Sequence, residues 1–270
     1  MPFPQFTSFS GDQPLVANSI YNALQVKVEK RFSHGLQLLV TYTWAKSIDD
    51  ASTSQGWLGG QISLQDPNNY RLERSLSSFD IPHFLQFSYT YELPIGRGKP
   101  LGSTMNPVLN AVIGGWQTNG IWRISSGRPI ALGLNGGQSL PTYGGQRPDL
   151  TGTLHCSSNN ILSDYFANPE VVVTPAPFAL GTAPRMEGSC RQPGIFNANW
   201  SLFKEFSLAK LREGARIEFR LEAYNAFNHV VFAGPNATLN SGSFGVVTAQ
   251  ANSPRQVQGD RKSTRLNSSH

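Results

Sequence analysis

Residues 216–224 read Arg-Ile-Glu-Phe-Arg-Leu-Glu-Ala-Tyr, and this stretch decides the fold. Ile217, Phe219, Leu221 and Ala223 alternate with Arg216, Glu218, Arg220, Glu222 and Tyr224. A period of two sends successive side chains to opposite faces of an extended strand, so one face is apolar and the other charged. Working outward, the same pattern recurs. Over residues 21–32, Leu24, Val26 and Val28 alternate with Gln25, Lys27, Glu29 and Arg31. After the break Ser33-His34-Gly35, Leu36, Leu38, Val40, Tyr42 and Trp44 oppose Gln37, Leu39, Thr41 and Thr43. From His83, Leu85, Phe87, Tyr89, Tyr91 and Leu93 oppose Gln86, Ser88, Thr90 and Glu92. The run Trp116, Thr118, Gly120, Trp122, Ile124 is looser, and Ala198, Trp200 and Leu202 alternate with Asn199, Ser201 and, farther on, Glu205. A last short piece begins at Arg255 and is expected to break off at Gln258.

Two all-β architectures produce such alternation. In a soluble sandwich the apolar faces pack against each other. In a transmembrane barrel they face lipid and the polar faces line an interior. These runs last about 10–13 residues, whereas soluble strands average about 5–6 and a membrane strand needs roughly 9–11. Only 14% of the 270 residues are charged, against roughly 25% in a typical soluble domain. Aromatic residues make up 11%, too many for a disordered chain. Trp44, Tyr42, Tyr91, Trp116, Trp122 and Trp200 lie on the apolar faces, and the barrel reading expects them in interfacial girdles. No uninterrupted apolar run is long enough for a membrane helix of about 18–20 residues. No leader-type segment follows Met1, so an export signal is expected outside this chain.

The predicted fold is therefore all-β: antiparallel strands of an incomplete transmembrane barrel, six plus a truncated seventh. Leu24, Val26, Val28, Leu38, Val40, Tyr42, Trp44, Phe87, Tyr89, Tyr91, Trp200, Leu202, Phe219 and Leu221 are assigned to lipid. Gln25, Lys27, Glu29, Gln86, Ser88, Glu92, Glu205, Arg216, Glu218, Arg220 and Glu222 are assigned to the lumen. Connections alternate between short or moderate (33–35, 95–112, 207–214) and long (46–82, 126–194, 229–254), as periplasmic turns and extracellular loops do. Symmetric pairing about the 207–214 turn sets Glu205 opposite Arg216, Phe203 opposite Glu218 and Ser201 opposite Arg220. On the lipid face an Arg costs about 2–4 kcal/mol at mid-depth, so Leu221→Arg is expected to abolish assembly and Glu222→Gln to be tolerated.

The net charge is +5. Residues 260–270, Asp-Arg-Lys-Ser-Thr-Arg-Leu-Asn-Ser-Ser-His, resemble the translation of a common sequencing adapter and are set apart as a non-native tail, leaving 1–259 as the barrel portion. The tail carries Arg261, Lys262 and Arg265 against Asp260. Without it no basic cluster remains, and nucleic-acid binding, which needs a concentrated basic surface, is not expected.

Residues 19–50 (from Ser19 through Ile20, Tyr21 and Trp44 to Asp50), 80–99 (Asp-Ile-Pro-His onward), 114–129 (Gly-Gly-Trp-Gln onward) and 216–232 together resemble the barrel of Oar-like TonB-dependent outer-membrane receptors. That resemblance spans about residues 18–258 and is weakest over 135–193. It implies a Gram-negative-type outer membrane and about 22 strands around a plug, of which this chain is the last third. It also implies an N-terminal carboxypeptidase-regulatory-like domain, a plug and a TonB-contacting segment, none of them present here. A complete receptor of this kind binds an extracellular ligand and admits it when TonB, driven by the proton gradient, displaces the plug. The implied partners are outer-membrane lipid, the TonB complex through the absent N-terminal parts, and an unidentified ligand. An Oar-type structural or adhesive protein without import is the alternative.

Cys156 and Cys190 fall in one long loop, and an oxidising compartment favours a disulfide between them. Asp49, Asp50 and Asp80 sit at loop edges, where solvated carboxylates are expected. Gly96-Arg97-Gly98-Lys99 lacks the spacing and following helix of a phosphate loop and reads as a turn. His34, His83, His155, His229 and His270 are scattered. No spacing of a catalytic triad, a metal site or a cofactor motif is found, and no enzymatic activity is expected.

Overall fold

The computed structural model describes residues 17–52, 64–66, 69–137, 145–208 and 216–264. Seven long strands form one antiparallel sheet: β1 (Ser19–Ser33), β2 (Leu36–Asp49), β3 (His83–Glu92), β4 (Trp116–Ser125), β5 (Ile195–Ser207), β6 (Arg216–Tyr224) and β7 (Gln256–Thr264). Each pairs with its neighbours in the chain, and a two-residue strand, Ser75–Leu76, adds to the end of β2. This up-and-down meander needs no crossover. Among the described residues β1 and β7 are edges and do not pair with each other.

The β1–β2 turn shows how local sequence sets the geometry. His34 and Gly35 both have positive φ, 52° and 77°, as the two-residue turn matching right-handed strand twist requires. The Gly35 carbonyl accepts from Glu92 N–H at 2.8 Å, tying this turn to the end of β3.

The ladders carry the two faces from strand to strand. One row runs Leu38, Tyr89, Gly120, Trp200, Ala223 and Val257. The adjacent row runs Gln37, Thr90, Asn119, Ser201, Glu222 and Gln258. Every residue that the alternation assigns to lipid lies on the first face, and every one assigned to the lumen on the second. Gly120 admits the Tyr89 ring, which a Cβ there would meet at 2.3 Å. Trp200 and Trp122 stand mid-strand rather than at a rim, so the girdle expectation fails for these two.

The β5–β6 register differs from the symmetric expectation by two residues. Ser207 faces Arg216, Glu205 faces Glu218, Phe203 faces Arg220 and Ser201 faces Glu222. A slip of two keeps both faces, and it sets Leu202 against Leu221 and Phe206 against Ile217. Charge is balanced along and across the row instead: Arg220 lies 2.7 Å from Glu218 and 3.6 Å from Glu222, and Arg216 lies 3.7 Å from Glu205. The seventh strand also does not stop at Gln258. It runs to Thr264, with Asp260 opposite Arg220 and Lys262 opposite Glu218, because ladder bonds come from the backbone and accept any residue but proline. Arg261 then falls in the apolar row, opposite Phe219.

Among the described residues the main buried cluster lies outside the sheet. Ile130, Leu132, Leu154, Tyr165, Phe166, Val172, Ala183, Cys190 and Val247 cluster in the long connections between strands. The apolar face of the sheet stays open: Leu24 is 55% exposed, Val28 54% and Trp44 58%. A soluble sandwich would cover that face with a second sheet. No described helix is long and apolar enough to cross a membrane.

Candidate functional site

The long connections all leave the sheet at one end, and they fold together into a layer above that rim. Three arginines of residues 145–191 each reach a carboxylate from residues 49–80. Arg147 Nη1 meets Glu73 Oε2 at 2.6 Å, Arg191 Nη2 meets Asp80 Oδ2 at 2.7 Å, and Arg185 Nη2 pairs with Asp49 Oδ1. The Asp49, Asp50 and Asp80 carboxylates are therefore not solvated as the sequence suggests. Asp49 and Asp80 are buried in ion pairs, and Asp50 accepts from Asn18 N–H at 2.8 Å. Sequence spacing gives no sign of these pairs, whose partners are more than a hundred residues apart for Asp49 and Asp80.

Further hydrogen bonds complete the layer. Arg185 Nε donates to Glu73 O at 3.0 Å and Nη1 to Ser52 Oγ at 3.0 Å. Gln65, almost fully buried, accepts from Arg147 N–H and Gly181 N–H and donates to Gly181 O at 2.8 Å. A buried charge is tolerated only when paired and hydrogen-bonded; each of these guanidinium groups has a carboxylate partner, although Arg147 Nε itself has no acceptor among the described residues. Cys156 and Cys190 form a disulfide within the same layer. Next to it Tyr165 donates its hydroxyl to Arg191 O at 2.6 Å, and burial pushes its pKa up to about 12.

Beneath this layer, on the polar face, lies a cavity of 680 Å³. Gln86, Arg123, Asn197 and Asn199 enter it from β3, β4 and β5; Arg128, Gln192 and Asn252 enter it from the loops. Its lining holds two guanidinium groups and several amides but no carboxylate. Such a surface offers many donors to a ligand rich in oxygen acceptors or negative charge. Arg123 also lies over the Phe84 ring at 5.3 Å. Gly127 lines the cavity where its backbone crosses Gln192; a Cβ there would come within 1.5 Å of the Gln192 carbonyl oxygen.

The other assigned residues line the two faces without converging on a chemical centre. Lys27 pairs with Glu29 at 3.0 Å and Lys99 with Glu92 at 2.8 Å. The 96–99 segment is a turn, as read. Among the described residues no group of His, Cys, Asp or Glu is placed to hold a metal ion. Residues 95–112 hold a feature that reading this link as a turn missed, the helix α1 (Pro107–Ile113). Its signal was present: Asn106 caps Leu109 N–H at 2.7 Å and Pro107 opens the helix.

No curated protein and no solved structure matches the chain. A family profile described as "Outer membrane beta barrel domain" matches residues 1–258. With its long two-faced strands, its uncovered apolar face and a loop layer over one rim, the chain belongs to this outer-membrane β-barrel family and resides in the cell outer membrane.

Proposed function

We propose that this chain is a portion of the barrel of an Oar-like TonB-dependent receptor, one that takes up an extracellular ligand. The observation that carries the reading is the second face, which bears polar or charged residues on all seven strands and ends in a cavity with two guanidinium groups and several amides under the loop layer. In this reading the apolar rows meet lipid and the polar rows line a water-filled lumen. The disulfide-linked loop layer lies outside the cell and the short turns lie in the periplasm. Among the described residues edges β1 and β7 leave backbone groups unpaired, which hydrocarbon does not tolerate, so in this reading the arc closes with further strands of a larger barrel. TonB acts through a plug and contact segment elsewhere in the receptor, and the barrel serves as conduit rather than catalyst.

Uptake tests this. In cells with functional TonB, the complete protein is expected to import one or more members of a panel of ferric chelates, oligosaccharides and peptides; without TonB it imports none. Surface adhesion with no import in either background would favour the structural alternative.

A further inference from the structure

Helix α1 has no charged residue, and its apolar side chains are turned outward. Val108 is 76% exposed, Leu109 46%, Val112 61% and Ile113 40%. Positions 108, 109, 112 and 113 share one helix face. A seven-residue helix is too short to stand alone in water, and this one is fastened to the sheet at its C-terminal end. Trp116 Nε1 donates to Val112 O at 2.9 Å. Lys204 Nζ donates to Ala111 O at 2.6 Å and Asn110 O at 3.4 Å. The same ammonium lies over the Trp116 ring at 5.6 Å and the Phe206 ring at 4.9 Å.

Lys204 and Trp116 face each other across the β4–β5 ladder, in the apolar row that continues to Phe219. The helix is thus attached to the apolar side of the short-turn rim, not to the lumen side. A lysine on that face is costly in hydrocarbon unless its ammonium reaches the interface or finds carbonyls. Here it does so by neutralising the carbonyl end of α1.

We propose that α1 is an interfacial anchor whose Val108, Leu109, Val112 and Ile113 side chains enter the phospholipid leaflet on the short-turn side. The occupant of this face is the bilayer itself, because the helix continues the apolar surface of an outer-membrane barrel. The inference rests on the apolar face meeting lipid. Interfacial helices sit about 5–10 Å into the headgroup–acyl boundary, shallower than the middle of a strand. Trp116 and Lys204 fix the helix at that level.

The test attaches a polarity-sensitive fluorophore to a single introduced cysteine in the intact protein. Val112→Cys reports on the helix, Leu221→Cys on the mid-strand apolar face and Glu222→Cys on the polar face. The protein is reconstituted into phosphatidylethanolamine–phosphatidylglycerol vesicles containing lipids spin-labelled at shallow or deep acyl positions. At position 112 the probe is expected to lose most of its emission to the shallow label and little to the deep one; at 221 the order reverses, and at 222 neither quenches. If position 112 is unquenched while 221 is quenched, the anchor is refuted and the barrel orientation survives, whether the 112 probe is open to aqueous iodide or shielded by protein. If 221 is also unquenched, the orientation on which the inference rests falls with it.

Discussion

Replacing Arg185 with Met tests the loop layer most sharply, because an unbranched apolar stem is kept while the guanidinium and its donors are lost. Arg185 is 2% exposed and Asp49 6%. The guanidinium serves Asp49, the Glu73 carbonyl and Ser52 Oγ. After substitution the Asp49 carboxylate loses its one cationic partner and keeps only neutral donors, Ser52 N–H at 3.0 Å, Ala51 N–H at 3.3 Å and the Ser77 and Ser52 hydroxyls. Removing one member of a buried ion pair costs about 3–5 kcal/mol. At about 1.4 kcal/mol per factor of ten, local opening is expected to rise by roughly two to three and a half orders of magnitude. Amide hydrogen exchange with mass-spectrometric readout measures this. Ser77 N–H, bonded to Ser47 O at 2.9 Å, and Ala183 N–H, bonded to Pro148 O at 3.0 Å, are the reporters. Amides of β3 and β4 are expected to keep their rates. Asp49→Asn combined with Arg185→Met is expected to recover part of the loss, since no carboxylate is then left unpaired. Exchange at both reporters rising by less than about tenfold in the single variant would refute the reasoning that these pairs hold the layer together.

Other outcomes follow from single contacts. Reduction of the Cys156–Cys190 bond is expected to add two hydrogens to the intact mass, expose two thiols and weaken the loop layer by about 3–4 kcal/mol; thiol labelling with and without reductant, followed by denaturant titration, checks it. Gly120→Ala forces a Cβ into the Tyr89 ring and is expected to cost about 1–3 kcal/mol. Assembly yield of heat-resistant barrel reads the loss, and Tyr89→Leu in the same chain is expected to restore it. Tyr165, with its pKa raised to about 12, is protonated in the fold at pH values where the unfolded chain has already lost its proton. Its contribution to loop-layer stability is therefore complete below about pH 10 and lost as pH rises toward 12. Tyr165→Phe is expected to remove this slope in exchange measured across that range.

The strands were legible because a strand whose two faces differ in polarity repeats every two residues. The run from Ile217 to Ala223 and that from Leu24 to Val28 needed no tertiary information, and the ladders keep their faces. Register was not legible at the β5–β6 hairpin. Opposite charges such as Glu205 and Arg216 suggest a symmetric pairing, but a slip of two gives the same alternation and sets Leu202 against Leu221 and Phe206 against Ile217. The chain-local pattern does not distinguish the two. The loop layer was least legible. Asp49, Glu73 and Asp80 look like any polar loop residues; their burial depends on Arg185, Arg147 and Arg191, which arrive from a distant connection. Cys156 and Cys190 stood out only because cysteine is scarce, with 2 in the chain. Helix α1 was overlooked because seven residues fall below the length at which helical periodicity is visible, although the Asn106-Pro107 start was there to find.

The central claim is that the apolar rows of the sheet meet acyl chains and the polar rows meet water. Photolysis of the membrane-embedded protein in vesicles whose lipids carry a diazirine in mid-chain, with peptide mapping of the adducts, tests it residue by residue along β6. Adducts at Phe219 and Leu221 with none at Glu218, Arg220 and Glu222 are the predicted result. Adducts on the charged set, or equal labelling of both sets, would contradict it.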